Sequence, residues 1–278
     1  PNEFQFADIL AKNRSDLRGN SLSEQTFQQI SQRYINQNVH AYEPFSGGYL
    51  GIGKITDAFL KEEINNLVFK IEGLNHLLPS TPIAFVDKLK QNGNLISAQL
   101  DNVLSAAIIL YLYQHGFAGT AFFTAQEEAG KSWRFVHEWF KKNKISTDKL
   151  VVLDTSPYET REEADKQLVV LRNKDVNAKF KSPLLKELKQ FCKKNKISFS
   201  CKDKFIIEKN KLREKEGLKP ISIGSTELGR IVMESNGQIQ GATLQIPTTG
   251  YHTVDETASV ESIKAIIFIL SSFYIKNF

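Results

Sequence analysis

Thr120-Ala121-Phe122-Phe123-Thr124, a helical pattern over Ser132–Lys142, and Leu150-Val151-Val152-Leu153 follow one another in mid-chain, and their order decides the fold. The two short apolar runs, rich in β-branched and aromatic residues, read as strands. The segment between them spaces its apolar residues three and four apart, as one face of a helix does. The same alternation continues in both directions. It predicts strands at Thr81–Val86, Gln167–Leu171, Ile197–Ser200, Pro220–Ile223 and Ala242–Ile246, and helices at Val103–Gln114, Pro183–Lys194, Thr226–Glu234 and Val260–Tyr274. Pro183 at a helix start and Gly116 after a helix end are the expected punctuation. Strands alternating with helices predict an α/β fold whose central sheet is mixed, mainly parallel, and flanked by helices.

Toward the amino terminus the pattern changes. Residues 5–36 read as helices, the second opened by the capping-box sequence Ser21-Leu22-Ser23-Glu24. Pro44–Gly53 is rich in glycine and reads as a loop. Gly48 to Lys54 fits most of the phosphate-binding pattern G-x-x-x-x-G-K, but Ile55 stands where a hydroxyl is needed for magnesium, and the nucleotide reading is rejected. With no internal repeat or linker, one domain is expected over 1–278, with helices and a loop over 1–80 and the core over 81–278.

Composition narrows the function. At 41% hydrophobic and 24% charged residues, the 278-residue chain is ordinary for a globular protein with a sizeable core. The net charge of +5 gathers between Lys179 and Lys219, in runs such as Lys193-Lys194-Asn195-Lys196. A nucleic-acid groove would usually interleave such charges with aromatics that stack on bases; these lysines read instead as the wet faces of helices. Cys192 and Cys201 make no disulfide framework and are expected as free thiols in a reducing cytoplasm. The longest apolar stretch, Ile263 to Ile275, is too short for a bilayer and reads as a buried helix, and Pro1–Arg14 has no uninterrupted apolar core of a secretory signal. A soluble cytoplasmic protein without membrane or nucleic-acid partners is the expectation.

In open α/β sheets the working groups collect at the carboxyl ends of strands. Here those ends lead to Asp87, to Glu127-Glu128, to Asp154, and through Pro247–Tyr251 to His252, while Asp101-Asn102 immediately precedes a helix. Oxygen and imidazole ligands from separate elements are what a zinc site needs. Each has a plainer reading as well: Asp101 as a helix cap, Glu127-Glu128 as exposed acids, Asp154 as a turn cap, His252 as a loop histidine.

Five segments in order resemble the co-catalytic zinc exopeptidases, and among them the glutamyl/tetrahedral (TET) aminopeptidases. They are Leu100-Asp101-Asn102, Phe123 to Glu128, Leu153-Asp154, Gly224-Ser225-Thr226-Glu227, and Ile246-Pro247-Thr248-Thr249-Gly250-Tyr251-His252. The resemblance implies that Asp101 bridges two metals, Glu127 is the general base, Glu128 a ligand of one metal, Asp154 a ligand of the other, and that His252 completes the site shared by Asp101 and Glu128. It also marks departures. The family begins its ligand set with a histidine two residues before an aspartate; in Ala84-Phe85-Val86-Asp87 the aspartate is kept and Phe85 replaces the histidine. His40 and His76 read as ordinary histidines. Glu227 stands for the family's aspartate, and the spacing from Phe85 to Asp101 leaves no room for the family's inserted β domain.

The implied function is a metal-dependent aminopeptidase that hydrolyses amino-terminal residues from peptides, with one zinc per chain and a weak or absent second site. Two alternatives stay open: an exopeptidase-fold binding or regulatory protein without efficient turnover, and a single-zinc acyl-transfer enzyme resembling glutaminyl cyclases. A peptide is the expected partner, and a homo-oligomer is left open.

Overall fold

The computed structural model describes residues 2–5, 24–61, 66–75, 77–78, 81–86, 88–128 and 130–275. The chain divides into two compact units, residues 1–88 and 89–278, a division the single-domain reading does not contain.

The first unit holds β1 (Asn2–Gln5), α1 (Glu24–Tyr34), β2 (Asn38–Tyr42), β3 (Tyr49–Lys61), β4 (Asn66–Glu72) and β5 (Ile83–Phe85). The strands form one antiparallel sheet in the order β1-β4-β3-β2-β5. The expectation of helices and a loop over 1–80 is therefore corrected: α1 is the one helix among the described residues of this unit, and Glu24 opens it, while Ser21–Ser23 lie outside them. The glycines of 44–53 do not all belong to a loop, since β3 begins at Tyr49. A Cβ on Gly53 would lie 2.6 Å from Ile71 Cγ2 and 2.8 Å from the Glu72 carbonyl, so glycine lets β3 lie close on β4 instead of marking a turn. Val39, Ile55, Leu67, Phe69 and Ile71 are buried beneath α1 residues such as Ile30.

Phe85 belongs to this unit. It pairs with Val39 of β2, and its ring stacks on Tyr34 at 5.5 Å between centroids. The expected strand at Thr81–Val86 thus exists, but as an antiparallel neighbour of β2 rather than a strand of the α/β sheet. A small β unit does precede Asp101, with Phe85 inside it, in its last strand, rather than ahead of it. Asp87 and His76 are outside the described residues.

The second unit carries the α/β layers. Its elements are β6 (Lys90–Asn92), β7 (Leu95–Ala98), α2 (Val103–Gln114), α3 (Ser132–Asn143), β8 (Thr147–Pro157), α4 (Arg161–Asp165), β9 (Val169–Leu171), α5 (Pro183–Lys194), β10 (Phe199–Cys201), α6 (Lys202–Lys215), α7 (Glu227–Glu234), β11 (Ile239–Thr249), β12 (Glu256–Ser259) and α8 (Val260–Tyr274). The sheet runs β10-β9-β11-β12-β7-β6, with β8 also on β11. It is mixed as expected, with parallel pairing in β8–β11 and β9–β10 and antiparallel pairing elsewhere. Helix starts follow from their caps: Ser182, Thr226 and Ser259 accept backbone N–H groups of Leu184, Gly229 and Glu261. Such caps typically contribute about 1 kcal/mol each. α8 buries Ser262, Ala265, Ile266, Ile269 and Leu270, the i, i+3, i+4 spacing of a core face. It packs with Leu171, Leu188, Leu228, Leu244 and Ile246 of the main core.

Two expected strands do not form. Thr120–Thr124 finds no ladder partner among the described residues; Phe122 instead packs on Trp139 and Phe140 of α3, and Phe123 is exposed. In Pro220–Ile223 side chains replace a ladder: Asn210 bonds both the N–H and the carbonyl of Ile221, and Arg172 Nη1 donates to the Ile223 carbonyl. Both cysteines are free, Cys192 buried. Among the described residues no helix is long and apolar enough to cross a membrane.

Candidate metal centre

Asp101 lies just before α2, Glu128 in the turn that leads to α3, and His252 in the β11–β12 connection. One ligand atom from each lies within 4.8 Å of the others. His252 Nε2 is 3.0 Å from Glu128 Oε1 and 3.4 Å from Asp101 Oδ2. Neither contact has the direction of a good ring N–H hydrogen bond, so Nε2 is buried without a hydrogen-bond partner. A buried imidazole nitrogen aimed between two carboxylates is the arrangement a divalent cation would satisfy, and one nitrogen with two oxygens is a zinc-type donor set. The residues present fit the metal that the resemblance implies.

Two backbone positions at the site are left-handed. Gln126 and His252 both adopt left-handed φ values, 65° and 58°. For residues with a Cβ that costs on the order of 1–3 kcal/mol each, and such strain gathers at functional sites. Asp101 is held from behind. Glu256, buried on β12, accepts the N–H groups of Leu100 (3.2 Å) and Asp101 (3.0 Å) on Oε2 and the Thr248 hydroxyl (2.9 Å) on Oε1. Asn102 Nδ2 donates to the Leu153 carbonyl at 2.9 Å, tying the start of α2 to β8.

Negative charge accumulates around the three candidate ligands. Burial, then the charges of Glu128, Glu227 and Asp101, push the Glu127 carboxyl up to about 7, with Arg230 opposing. Asp154 is raised well above the usual carboxylate range by burial and by Asp101 and Glu127. It stands apart from the converging trio: its oxygens accept the Thr155 N–H at 2.8 Å and Gln245 Nε2 at 3.1 Å. Burial works against a charged His252, but the carboxylates of Asp101 and Glu128 outweigh it and raise the ring to about 9. Tyr251 stacks on His252 with centroids 3.6 Å apart. Carboxylates crowded in this way, with their acidity perturbed by burial and by one another, are what functional sites commonly gather.

Several residues behind the trio escaped the sequence reading. Gln245 is buried, fixed by Arg172 Nε at 2.9 Å so that its amide nitrogen faces Asp154. Both carry a usable signal: Gln245 interrupts the apolar run of β11, and Arg172 ends that of β9. Glu256 and Arg230 carry none. Asp101, Glu127, Glu128, Asp154 and His252 all lie in the second unit, whereas Phe85 and His40 belong to the first.

No curated protein matches the sequence. The family model for M42 glutamyl aminopeptidase matches residues 77–209, which include Asp101, Glu127, Glu128 and Asp154. Among solved structures, an aminopeptidase from the archaeon Desulfurococcus kamchatkensis superposes with a TM-score of 0.63 at 15% identity, covering 87% of this chain and 69% of that one. A TET aminopeptidase from a marine sediment Thaumarchaeota archaeon gives 0.62 at 16%, covering 88% and 72%. The TET1 peptidase of Pyrococcus horikoshii, which can assemble into a tetrahedron or a large octahedral shell, gives 0.61 at 17%, covering 88% and 74%. The chain thus has the zinc-exopeptidase fold, and over residues 77–209 it is similar to the M42 glutamyl aminopeptidases.

Proposed function

We propose that the protein is a metal-dependent aminopeptidase that removes amino-terminal residues from peptides, holding one zinc on Asp101, Glu128 and His252. The observation that carries this reading is the unpartnered His252 Nε2 between two carboxylates, with a second glutamate directly beside one of them. Zinc at this site would supply Lewis acidity toward the scissile carbonyl and the attacking water. Glu127 takes the proton of that water and returns it to the departing amine, a role worth about 10²–10⁴-fold. Its neighbour Glu128 faces His252, so adjacent glutamates divide the tasks of base and ligand. Asp154 is engaged by Gln245 and Thr155, which favours a second site of low occupancy. Free thiols and a peptide substrate fit the cytoplasm.

The test pairs two isosteric changes. Glu127→Gln should lower kcat on aminoacyl anilides by about 10²–10⁴-fold with zinc content unchanged. Glu128→Gln should instead lower zinc affinity. Full turnover in the purified Glu127→Gln protein would remove the proposed base. Zinc binding without hydrolysis of any anilide would favour the binding-protein alternative, and cyclisation of an amino-terminal glutamine peptide the acyl-transfer one.

A further inference from the structure

Gly224-Ser225-Thr226-Glu227 resembles a family segment, yet none of its residues is a candidate ligand. Its side chains prepare the first turn of α7. The carboxylate of Asp175 accepts both the N–H and the hydroxyl of Thr226, at 2.7 and 2.8 Å. Thr226 Oγ1 in turn accepts the Gly229 N–H at 3.1 Å. Gly229 has no room for a side chain, because a Cβ there would lie 2.0 Å from Asp175 Oδ2. α7 therefore starts from a rigid base.

From that base Arg230 reaches the turn that carries the two glutamates. Its Nη1 donates to the Gly130 carbonyl at 2.6 Å, and its Nε donates to Ser225 Oγ at 3.1 Å. The Gly130 carbonyl also accepts Trp133 Nε1 at 3.0 Å. The turn closes on itself through Gly130 N–H to the Glu127 carbonyl (2.6 Å) and Lys131 N–H to the Gln126 carbonyl (3.0 Å). Gly130 has φ +64°, and a Cβ on it would meet Arg230 Nη1 at 2.2 Å. Upstream of the turn, the Thr124 hydroxyl donates to Glu227 Oε1 at 3.4 Å. One turn of α7 thus grips both ends of the segment bearing Glu127 and Glu128.

We propose that Arg230, braced by Ser225, is a positioning residue that fixes the Glu127–Gly130 turn, so that Glu128 meets His252 while Glu127 is left free as base. This rests on the metal reading above for what the turn does, and on the hydrogen bonds alone for what Arg230 does. A planar guanidinium bonds two acceptors from separate atoms in fixed directions, which an ammonium does not.

The experiment compares wild type with Arg230→Ala, Arg230→Lys and Ser225→Ala in three measurements: amide hydrogen exchange, zinc titration of the apo protein by calorimetry, and anilide kinetics. In Arg230→Ala the Gly130 and Lys131 amides should exchange about tenfold faster while those of α3 and α7 stay protected. Zinc affinity should fall about 10–100-fold, the usual effect of losing a group that orients a ligand. The fall should be in kcat, on the order of 10²-fold for a displaced base, with KM little changed. Arg230→Lys should recover part of the zinc affinity, and Ser225→Ala should show the same changes in weaker form. Unchanged exchange of the turn in folded Arg230→Ala or Arg230→Lys protein overturns the proposal. So does loosening spread through α3 and α7, which would make Arg230 a packing residue between helices. Hydrogen exchange needs neither metal nor turnover, so absence of peptidase activity in the wild type would count against the proposed function and leave the role of Arg230 standing on its own result.

Discussion

Glu256→Leu tests whether Asp101 is placed from behind. Glu256 is 1% exposed and uses both carboxylate oxygens: two backbone N–H groups on one and the Thr248 hydroxyl on the other. Leucine fills similar volume, so little cavity is created, but three buried polar groups lose their partner. Each costs about 1–3 kcal/mol when left unsatisfied, which gives roughly 3–6 kcal/mol for the set after partial relaxation. That is a large part of the 5–15 kcal/mol of a typical domain. Glu256→Gln is the control: its amide oxygen can accept both N–H groups, its nitrogen can donate to Thr248, and about 1 kcal/mol should be lost. Released from its anchor, the Asp101 carboxylate should also hold zinc about 10–100-fold less tightly in the leucine variant. Urea unfolding at constant m-value gives the first quantity and titration calorimetry the second. A leucine variant that loses under about 1 kcal/mol and binds zinc as wild type does would refute the claim that Glu256 holds Asp101.

Two further predictions concern the second unit away from the candidate metal centre. Lys202 is buried, its Nζ over the Tyr158 ring at 3.5 Å and donating to the Pro157 carbonyl; burial, then the charge of Arg172, lowers it from 10.5 to about 7. The unfolded chain keeps that proton up to 10.5 and the folded chain releases it near 7, so stability should rise with pH between the two values, by at most roughly 5 kcal/mol. Lys202→Met should flatten that rise, and parallel urea-stability profiles of the two proteins from pH 7 to pH 10 would contradict it. Gly241→Ala would place a Cβ 1.9 Å from the Leu150 carbonyl across the β8–β11 ladder; with backbone on the far side it should cost about 1–3 kcal/mol or more, read as a lowered Tm and lost if the variant melts as wild type does.

Much of the second unit is legible because its signals are local. Ser182-Pro183, Thr226 and Ser259 announce helix starts through bonds that span two or three residues, and α2, α5 and α8 have the bounds their patterns predict. The apolar run in β8 shows because a strand beside a parallel neighbour is covered on both faces. α6 is silent for the opposite reason: charges surround it and its buried residues are Lys202, Asp203 and Ile206, so no apolar stripe betrays the helix. Gly93 with Asn94 between β6 and β7 is a usable hairpin signal that the alternation of longer elements hid.

The site divides along the same line. Its proposed ligands and base sit in short motifs that are legible locally. What secures them does not: Glu256 reaches Asp101 across 155 residues, Gln245 reaches Asp154 across 91, and Arg230 reaches Gly130 across 100. Such bonds obey no period, since a side chain meeting a distant backbone group depends on the whole intervening fold. Phe85 shows the converse. Its segment copies the local spacing of a ligand-bearing strand end, but a strand's identity lies in its neighbour, and here that neighbour is Val39 in an antiparallel pair. The ladder to β2 and the ring contact with Tyr34 decide which sheet this strand joins, and neither is written within the segment itself.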